Sequence, residues 1–298
     1  MNLKELSSPI RIYLDIAPAP GPETVDYAGI SDQIILNKIL ALQVTDYAPL
    51  LSDACLSILE VLKDKAIAVS LTVQRSALNA SAVAILGSMP LKVLFVAIAS
   101  TDELESVIEI NQQMQGKLLI GISFAVTRNN FHQLPDILSF CLTRKISHLA
   151  LPMQRVMRDK DCFYLTRKEG EELAARLQEY SIPPDLKLII HDPFLWRVFY
   201  PSVAFPNGGC QAANTMLYIS PEAEVYPCPT VPVVMGNLSE MTLKEIICSE
   251  AKKEVRRKLI STPSGCRECG ELDECKGGCR GRAYTLHSSW EEADPACR

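Results

Sequence analysis

Apolar residues in the first two hundred positions fall into short, nearly continuous runs. These runs are rich in leucine and β-branched residues, as expected for strands that are buried on both faces of a parallel sheet. Between them, apolar residues recur every three or four positions, as on one face of an amphipathic helix. The strand-like runs cover residues 10–17, 40–46, 66–74, 91–99, 117–127, 147–153 and 186–192.

The alternation of the two patterns predicts the fold class. Helix-like stretches at 48–65 and 130–145 separate the strand-like runs. Strand–helix repeats of about twenty-five to thirty residues favour right-handed βαβ units. We expect an α/β fold with a partial or complete (β/α) barrel, and an open doubly wound sheet is the alternative. In either fold, functional sites lie in the loops after the carboxyl ends of the strands.

Two further helices carry start signals. Thr166 and Glu169 have the spacing of a capping box at the start of a predicted helix over 166–180. Thr242 and Glu245 have the same spacing at the start of a predicted helix over 242–261. The charged runs in both helices are typical of solvated helix faces.

Composition and charge limit the function. The chain has 298 residues, of which 48% are hydrophobic and 22% are charged, with a formal net charge of −5. This is ordinary globular composition, and an acidic chain gives no electrostatic case for binding nucleic acid. Its apolar runs are shorter than a bilayer span, and the first residues lack a signal-peptide pattern. We therefore expect a cytoplasmic protein with no membrane partner.

Cysteines are distributed unevenly. The sequence has eleven, and eight of them lie between residues 210 and 297. This shift predicts a boundary near residue 200, with one domain over 1–204 and a second over 205–298. The cytosol keeps thiols reduced, so clustered cysteines there indicate metal or redox chemistry more often than structural disulfides.

Four of these cysteines occupy fourteen positions, with the spacing C-x2-C-x5-C-x3-C over 266–279. A two-residue gap lets a tight turn direct both thiolates at one metal centre. Thiolates alone do not distinguish iron–sulfur clusters from zinc. Disulfides are a third possibility, which the reducing compartment disfavours.

The residues around these cysteines resemble a known domain. The segments "CQAANTMLYISPEAEVYPCP" (210–229), "GNLSEMTLKEI" (236–246) and "DPAC" (294–297) flank the cysteine block. Together they resemble the SPASM domain, the C-terminal extension of many radical S-adenosylmethionine enzymes that modify peptides and proteins. The resemblance covers about residues 205–298. One departure is Ala223, where the family usually has glycine.

The resemblance implies two [4Fe–4S] clusters. Carried over by motif position, it implies that Cys210, Cys228 and Cys279 hold the first cluster, and that the second is held by Cys266, Cys269, Cys275 and Cys297. Some family members have a further ligand just upstream, but residues 203–209 contain no cysteine. Cys162 and Cys248 are conceivable fourth ligands, although a buried, inert cysteine is the simpler interpretation of each.

The same resemblance implies a radical S-adenosylmethionine barrel upstream, but the sequence departs from its motifs. In that family the loop after the first strand carries C-x3-C-x2-C, and residues 18–29 here contain no cysteine. A Gly-Gly-Glu-Pro segment that contacts the cofactor follows the second strand in the family. "DYAP" (46–49) stands there instead. The chain resembles a degenerate member, in particular the GeoRSP system SPASM domain proteins, which accompany a cysteine-complete radical enzyme in peptide maturation.

Three functional hypotheses follow. The first is a non-catalytic iron–sulfur companion of such an enzyme, which binds a peptide substrate or relays electrons through its clusters without S-adenosylmethionine. The second is an enzyme that uses the open iron of the first cluster, with nearby polar groups from His191, Asp192, Asn214 and Tyr226. The third is a zinc-stabilised interaction module, in which metal removal would unfold the C-terminal region.

Overall fold

A computed structural model describes residues 6–16, 25–114, 116–155, 162–205 and 209–297. In these ranges, ten strands form one sheet in the order β10-β9-β8-β1-β2-β3-β4-β5-β6-β7. The strands are β1 (Arg11–Ile16), β2 (Ala41–Asp46), β3 (Ala68–Gln74), β4 (Leu91–Ile98), β5 (Ile120–Phe124), β6 (His148–Leu151), β7 (Lys187–Ile190), β8 (Met216–Ile219), β9 (Glu224–Tyr226) and β10 (Gly236–Asn237).

The first seven strands confirm the strand predictions, because each apolar run contains one of them. Neighbours pair in parallel, with Arg11 opposite Ala41 and Ala41 opposite Ala68. Their apolar side chains join those of the helices in one continuous core. This burial on both faces is the reason that the strands have nearly unbroken apolar sequences.

Helices connect the parallel strands and continue into the C-terminal region. They are α1 (Tyr27–Leu36), α2 (Asp53–Leu62), α3 (Ala80–Leu86), α4 (Leu104–Gln113), α5 (Leu134–Arg144), α6 (Arg167–Leu177), α7 (Pro193–Phe199), α8 (Leu243–Cys248), α9 (Glu250–Ile260), α10 (Leu272–Cys275) and α11 (Arg280–His287). Short 3-10 helices cover Arg75–Ala77, Thr101–Glu103, Phe131–Gln133, Ser264–Cys266 and Pro295–Cys297. In the described ranges, no helix combines the length and apolarity needed to cross a membrane.

One helix prediction is confirmed and another is corrected. The Thr166 hydroxyl accepts a hydrogen bond from the Glu169 amide, and the Glu169 carboxylate accepts one from the Thr166 amide, so the capping box forms. The single helix predicted over 242–261 is instead two helices, α8 and α9. Ser249 has extended backbone angles, and its hydroxyl accepts a hydrogen bond from the Lys252 amide at 3.1 Å. It therefore ends one helix and caps the next.

The sheet curls into a partial barrel. Tyr13 lies on β1, and its hydroxyl is 2.9 Å from Nε2 of His191, which directly follows β7. Strands β2 to β6 separate β1 from β7 in the sheet, so this hydrogen bond crosses the inside of the curled sheet. Tyr13 also packs with Tyr218 and Tyr226 in a small buried cluster.

The C-terminal region extends the same sheet. Strand β8 pairs in parallel with β1, and β9 and β10 add antiparallel strands beyond it. The boundary predicted between residues 204 and 205 falls before β8, so hydrogen bonds of the sheet run across it. The division into two domains stays an interpretation of the cysteine distribution. The pairing places the C-terminal loops at the open side of the barrel.

Candidate metal centre

Three predicted ligands lie together in a first thiol set, which we define as Cys210, Cys228 and Cys279. Cys228 follows β9, and Cys279 caps the start of α11. Burial raises the pKa of the Cys228 thiol to about 12, and the charge of Cys210 contributes to that rise. Burial also raises the pKa of Cys279, and Cys228 is one of the charges that act on it. The three thiols are therefore electrostatic neighbours.

The other four predicted ligands form a second thiol set. Burial raises the pKa of Cys297, and the charges of three other cysteines raise it further. Burial likewise raises the pKa of Cys266, with smaller contributions from two of the same residues. The members of this set are Cys266, Cys269, Cys275 and Cys297. The assignment of the two sets to two clusters stays what the SPASM resemblance implies.

All eleven cysteines lie in the described ranges, and all are free thiols. Within those ranges, no three histidine, cysteine, aspartate or glutamate side chains are close enough to hold one metal ion. The assignment of ligands to clusters therefore rests on the grouping of the thiols and on the donor chemistry around them.

A cavity between the barrel and the C-terminal loops contains the first set. Strand-end residues line one side of it, including Met153 after β6 and His191 after β7. The opposite side is formed by C-terminal residues, namely Cys210, Cys228, Cys275, Cys279, Arg280 and Arg282. The cavity lies at the carboxyl ends of parallel strands, where α/β folds place their sites.

Backbone amides point at the thiols of the first set. The Arg282 amide donates to Sγ of Cys279 at 3.5 Å. The Ala212 amide lowers the pKa of the Cys210 thiol, and the amides of Thr230 and Val231 lower that of Cys228, although burial raises both pKa values overall. Hydrogen bonds of this kind stabilise thiolate sulfur and tune iron–sulfur clusters.

Arg280 lies between the two thiol sets. Its side chain is almost fully buried, and burial lowers its pKa, whereas the charges of Cys210 and Cys266 raise it. The guanidinium donates to the carbonyls of Trp290 and Glu292. Its Nε has no hydrogen-bond partner in the described part of the chain.

A buried guanidinium with an unpartnered N–H is costly unless an anion lies nearby. Thiolate-ligated clusters carry negative charge, and Arg280 borders a member of each thiol set. The residues therefore fit iron–sulfur groups that are held by these thiols.

Asp294 connects the loops of the two thiol sets. Its carboxylate accepts hydrogen bonds from the amide of Cys279 at 2.6 Å and from the amide of Ala296 at 3.0 Å. It also binds Arg282, whose guanidinium extends to Asp192 at the start of α7. Gly278 has φ +70°, and a Cβ there would lie 2.5 Å from Cβ of Asp294. Glycine is thus required for Asp294 to approach the Cys279 amide.

The barrel contributes His191 and Asp192, which follow β7, to the site. Asp192 caps α7, accepting from the amides of Phe194 and Leu195. Burial alone would raise the pKa of Asp192, but the Arg282 guanidinium holds it below its ordinary value. Burial lowers the pKa of His191 to about 4, so its imidazole is neutral at pH 7.

The other polar residues named from the sequence lie elsewhere. Asn214 accepts from the Leu6 amide, and its own amide donates to Gln211. Tyr226 donates to Glu224 on the same strand. Neither Asn214 nor Tyr226 lines the cavity.

The two conceivable fourth ligands differ in position. Cys248 is exposed at the end of α8, so its interpretation as a buried cysteine is wrong. Burial raises the pKa of Cys162 to about 11, and the charges of Arg282, Asp294 and Asp192 also act on it. Cys162 therefore lies near the charged groups that surround Cys279, but it does not line the cavity.

A second polar network fills the barrel at the end of β1. Asp15 is fully buried, and its carboxylate accepts hydrogen bonds from both Nε and Nη2 of Arg155, at 3.0 and 3.1 Å. The hydroxyls of Tyr47 and Tyr218 donate to the same carboxylate, each at 3.1 Å. Burial alone would lower the pKa of Arg155, but Asp15 raises it above its ordinary value. No local pattern in the sequence predicts this network, because its members are far apart in the chain.

The loop after β2 is closed by its own side chains. Asp46 accepts from the amides of Ala48 and Ser52, and also from the Ser52 hydroxyl. These bonds direct Tyr47 towards Asp15. In the loop after β1, where the sequence lacks the cysteine triplet, residues 17–24 lie outside the described residues.

Comparisons with known proteins concern the C-terminal region and the whole fold. Residues 210–270 match the model of the SPASM family, described as an iron–sulfur cluster-binding domain. An AdoMet-dependent heme synthase from Methanosarcina barkeri is 33% identical over 91 residues, which are 30% of this chain. The match spans a quarter of that relative's length.

Solved structures share the whole fold. SuiB from Streptococcus suis, bound to its precursor peptide SuiA, has a TM-score of 0.71 at 18% identity, covering 97% of this chain and 76% of SuiB. The protein anSMEcpe, bound to AdoMet and the Cp18Cys peptide, has a TM-score of 0.67 at 14% identity, covering 97% of this chain and 94% of anSMEcpe. At these identities the likeness concerns the fold alone.

Proposed function

We propose that this chain, which is of the radical S-adenosylmethionine/SPASM type, is a non-catalytic iron–sulfur companion of a cysteine-complete radical enzyme. In this proposal, it holds two [4Fe–4S] clusters and works with the partner enzyme in the maturation of a peptide. The observation that carries the non-catalytic part is the network of Asp15, Arg155 and Tyr47 at the mouth of the barrel.

This network supports the loss of the cofactor site. Radical S-adenosylmethionine enzymes bind their cofactor at the ends of the first two strands, through cysteines after one strand and glycines after the other. Here Tyr47 stands among the residues that replace the glycines after the second strand, and its hydroxyl donates a hydrogen bond to Asp15 on β1. A tyrosine ring and a buried ion pair take space where a backbone would have to approach a ligand closely. The change in sequence and the filled space support the same conclusion.

The thiol sets support the electron-relay part of the proposal. Thiolate-bound iron–sulfur clusters supply one-electron transfer at strongly negative potential. The first set would hold one cluster against the barrel, and the second set would hold another nearer the surface. Arg280 offsets negative charge at both positions, and the amides around Cys228 stabilise thiolate there.

A peptide partner is supported by the structural neighbours. SuiB and anSMEcpe were each solved with a bound peptide. The shared fold makes the barrel and its loops the first place to look for a peptide here.

Catalysis at an open iron is supported less well, because Asp192 is bound to Arg282, and Asn214 and Tyr226 do not line the cavity.

Calorimetric titration of S-adenosylmethionine into anaerobic protein tests the non-catalytic part. We expect no binding heat, because the network around Asp15 occupies the mouth of the barrel. The control is a cysteine-complete radical enzyme of the same type, titrated under the same conditions. Tight binding to this chain would contradict the claim that its cofactor site is lost.

Reconstitution with the partner tests the companion part. A radical enzyme encoded beside this chain is assayed on its peptide substrate with and without the chain. We expect more product with it, and no increase with a Cys269→Ser variant, which removes one thiol of the second set. Equal product with all three samples would overturn the electron-relay function.

A further inference from the structure

We propose that His191 is the fourth ligand of the cluster held by the first thiol set, bound through its Nδ1. This inference rests on the proposed function, because it requires an iron–sulfur cluster at Cys210, Cys228 and Cys279. Three cysteines leave one iron of such a cluster without a protein thiolate. Residues 203–209 supply no cysteine. A fourth protein ligand would come from another element that faces the cavity.

One chain of contacts and a shared cavity place His191 near the first set. Its neighbour Asp192 binds Arg282, and the Arg282 amide donates to Sγ of Cys279 at 3.5 Å. On its other side, the His191 ring meets Tyr13 edge-on at 5.9 Å between ring centres. His191 also lines the same cavity as Cys210, Cys228 and Cys279. His191 therefore faces the space that contains all three thiols.

Two other donors in the cavity, Asp192 and Gln211, are engaged, and the Cys275 thiol, which also lines it, belongs to the second thiol set. The Asp192 carboxylate binds Arg282 and the amides at the start of α7. The Gln211 side chain donates to the Gly209 carbonyl and accepts from Asn214. The imidazole of His191 is bonded at Nε2 alone among the described residues. Its Nδ1 is the nitrogen that remains for a ligand.

The hydrogen bond to Tyr13 suits a ligand histidine. Binding through Nδ1 requires the proton to be on Nε2, which then donates to the Tyr13 hydroxyl oxygen. Ligand histidines usually donate their second ring N–H to a fixed acceptor, which sets the tautomer and the ring orientation. Tyr13 is itself fixed, because it is almost fully buried on β1. Histidine is an established iron ligand in iron–sulfur proteins, where it raises the reduction potential relative to cysteine.

Pulsed electron paramagnetic resonance of the reduced full chain tests this assignment. The wild-type protein is prepared anaerobically in two forms, one unlabelled and one grown with 15N-histidine. We expect a strongly coupled nitrogen that changes with the label. His191→Ala and His191→Cys should both remove this coupling, whereas His148→Gln and Cys162→Ser should keep it.

The reduction potential gives a second readout. His191→Cys supplies a thiolate in place of the imidazole, so it should keep the wild-type iron and sulfide content and have a lower potential for one cluster. Iron–sulfur protein without a label-dependent coupling would overturn the histidine ligand and leave the proposed function intact. Wild-type protein without iron and sulfide would overturn both.

Discussion

At the scale of single residues, the backbone conformation of Ala223 gives a physical reason for the glycine that the family usually has there. Ala223 stands where the SPASM family usually has glycine, and its φ is +62°. It ends the turn between β8 and β9, where its amide donates to the Ser220 carbonyl at 3.0 Å. A side chain in this left-handed region costs about 1–2 kcal/mol. The sequence identified the unusual residue, but only the backbone shows that the position needs positive φ.

Replacing Ala223 by glycine should relieve this strain. The gain is offset by the loss of a buried methyl group, about 0.8 kcal/mol, and by the greater freedom of glycine in the unfolded chain. We expect Ala223→Gly to leave the free energy of unfolding unchanged or to raise it by up to about 1 kcal/mol. Chemical denaturation followed by circular dichroism measures this change.

The matched control is Ala82→Gly, at a similarly buried alanine inside α3. It should lower the free energy of unfolding by about 1 kcal/mol, because helical backbone disfavours glycine. Equal destabilisation by both substitutions would show that Ala223 is not strained.

His148 links stability to pH. It is buried on β6, its Nδ1 is bonded to the Ser147 hydroxyl, and its ring meets Phe95. Burial lowers its pKa, and the positive charges of Lys187 and Lys92 lower it further.

In the unfolded chain histidine titrates near about 6.5. The unfolded state therefore binds more protons below that pH, and stability should fall as the pH drops from about 6.5 towards the folded pKa of His148. Denaturation midpoints at pH 5 and pH 7.5 measure the change. His148→Gln should reduce the difference between the two midpoints. An identical difference in wild type and variant would exclude His148 as its source.

At the scale of elements, hydrophobic runs predicted the strands because burial on both faces dictates their composition. Helix ends were predicted where a capping box marks them, as at Thr166. The break at Ser249 was missed because helix-forming residues lie on both sides of it, although serine before a new turn is itself a cap signal. The grouping of the cysteines followed from the SPASM resemblance. The contacts of His191, Arg280 and Asp15 are tertiary and leave no periodic pattern.

Asp294 is the element-level test of the metal centre, since it joins the loops of both thiol sets. Asp294→Ala removes the acceptor for the Cys279 amide and one partner of the buried Arg282. We expect a loss of about 3–5 kcal/mol in unfolding free energy, as for other broken buried ion pairs. Iron content should fall at both clusters, because the carboxylate accepts from the amide of Cys279 and from the amide of Ala296, the residue before Cys297.

Two variants make this test specific. Asp294→Asn keeps one acceptor oxygen and should lose less stability and less iron. Glu250→Ala removes an exposed ion pair with Lys253 and should change neither property. Full iron content in Asp294→Ala would contradict a joint support of the two sets.

At the scale of the whole molecule, one sheet joins the barrel to the C-terminal region. The parallel strands end in a barrel mouth that Asp15, Arg155 and Tyr47 fill. The C-terminal strands extend the sheet, and the loops and short helices before, between and after them carry seven thiols in two sets. The fold is shared with SuiB and anSMEcpe. Both the relay function and the His191 assignment require that the two thiol sets hold iron and sulfide.

Iron, acid-labile sulfide and zinc per chain, measured on protein purified without oxygen, test that claim most directly. Two [4Fe–4S] clusters predict about eight irons and about eight sulfides, with no zinc. One or two zinc ions without sulfide would contradict the account, and would identify the C-terminal region as a metal-stabilised structural module.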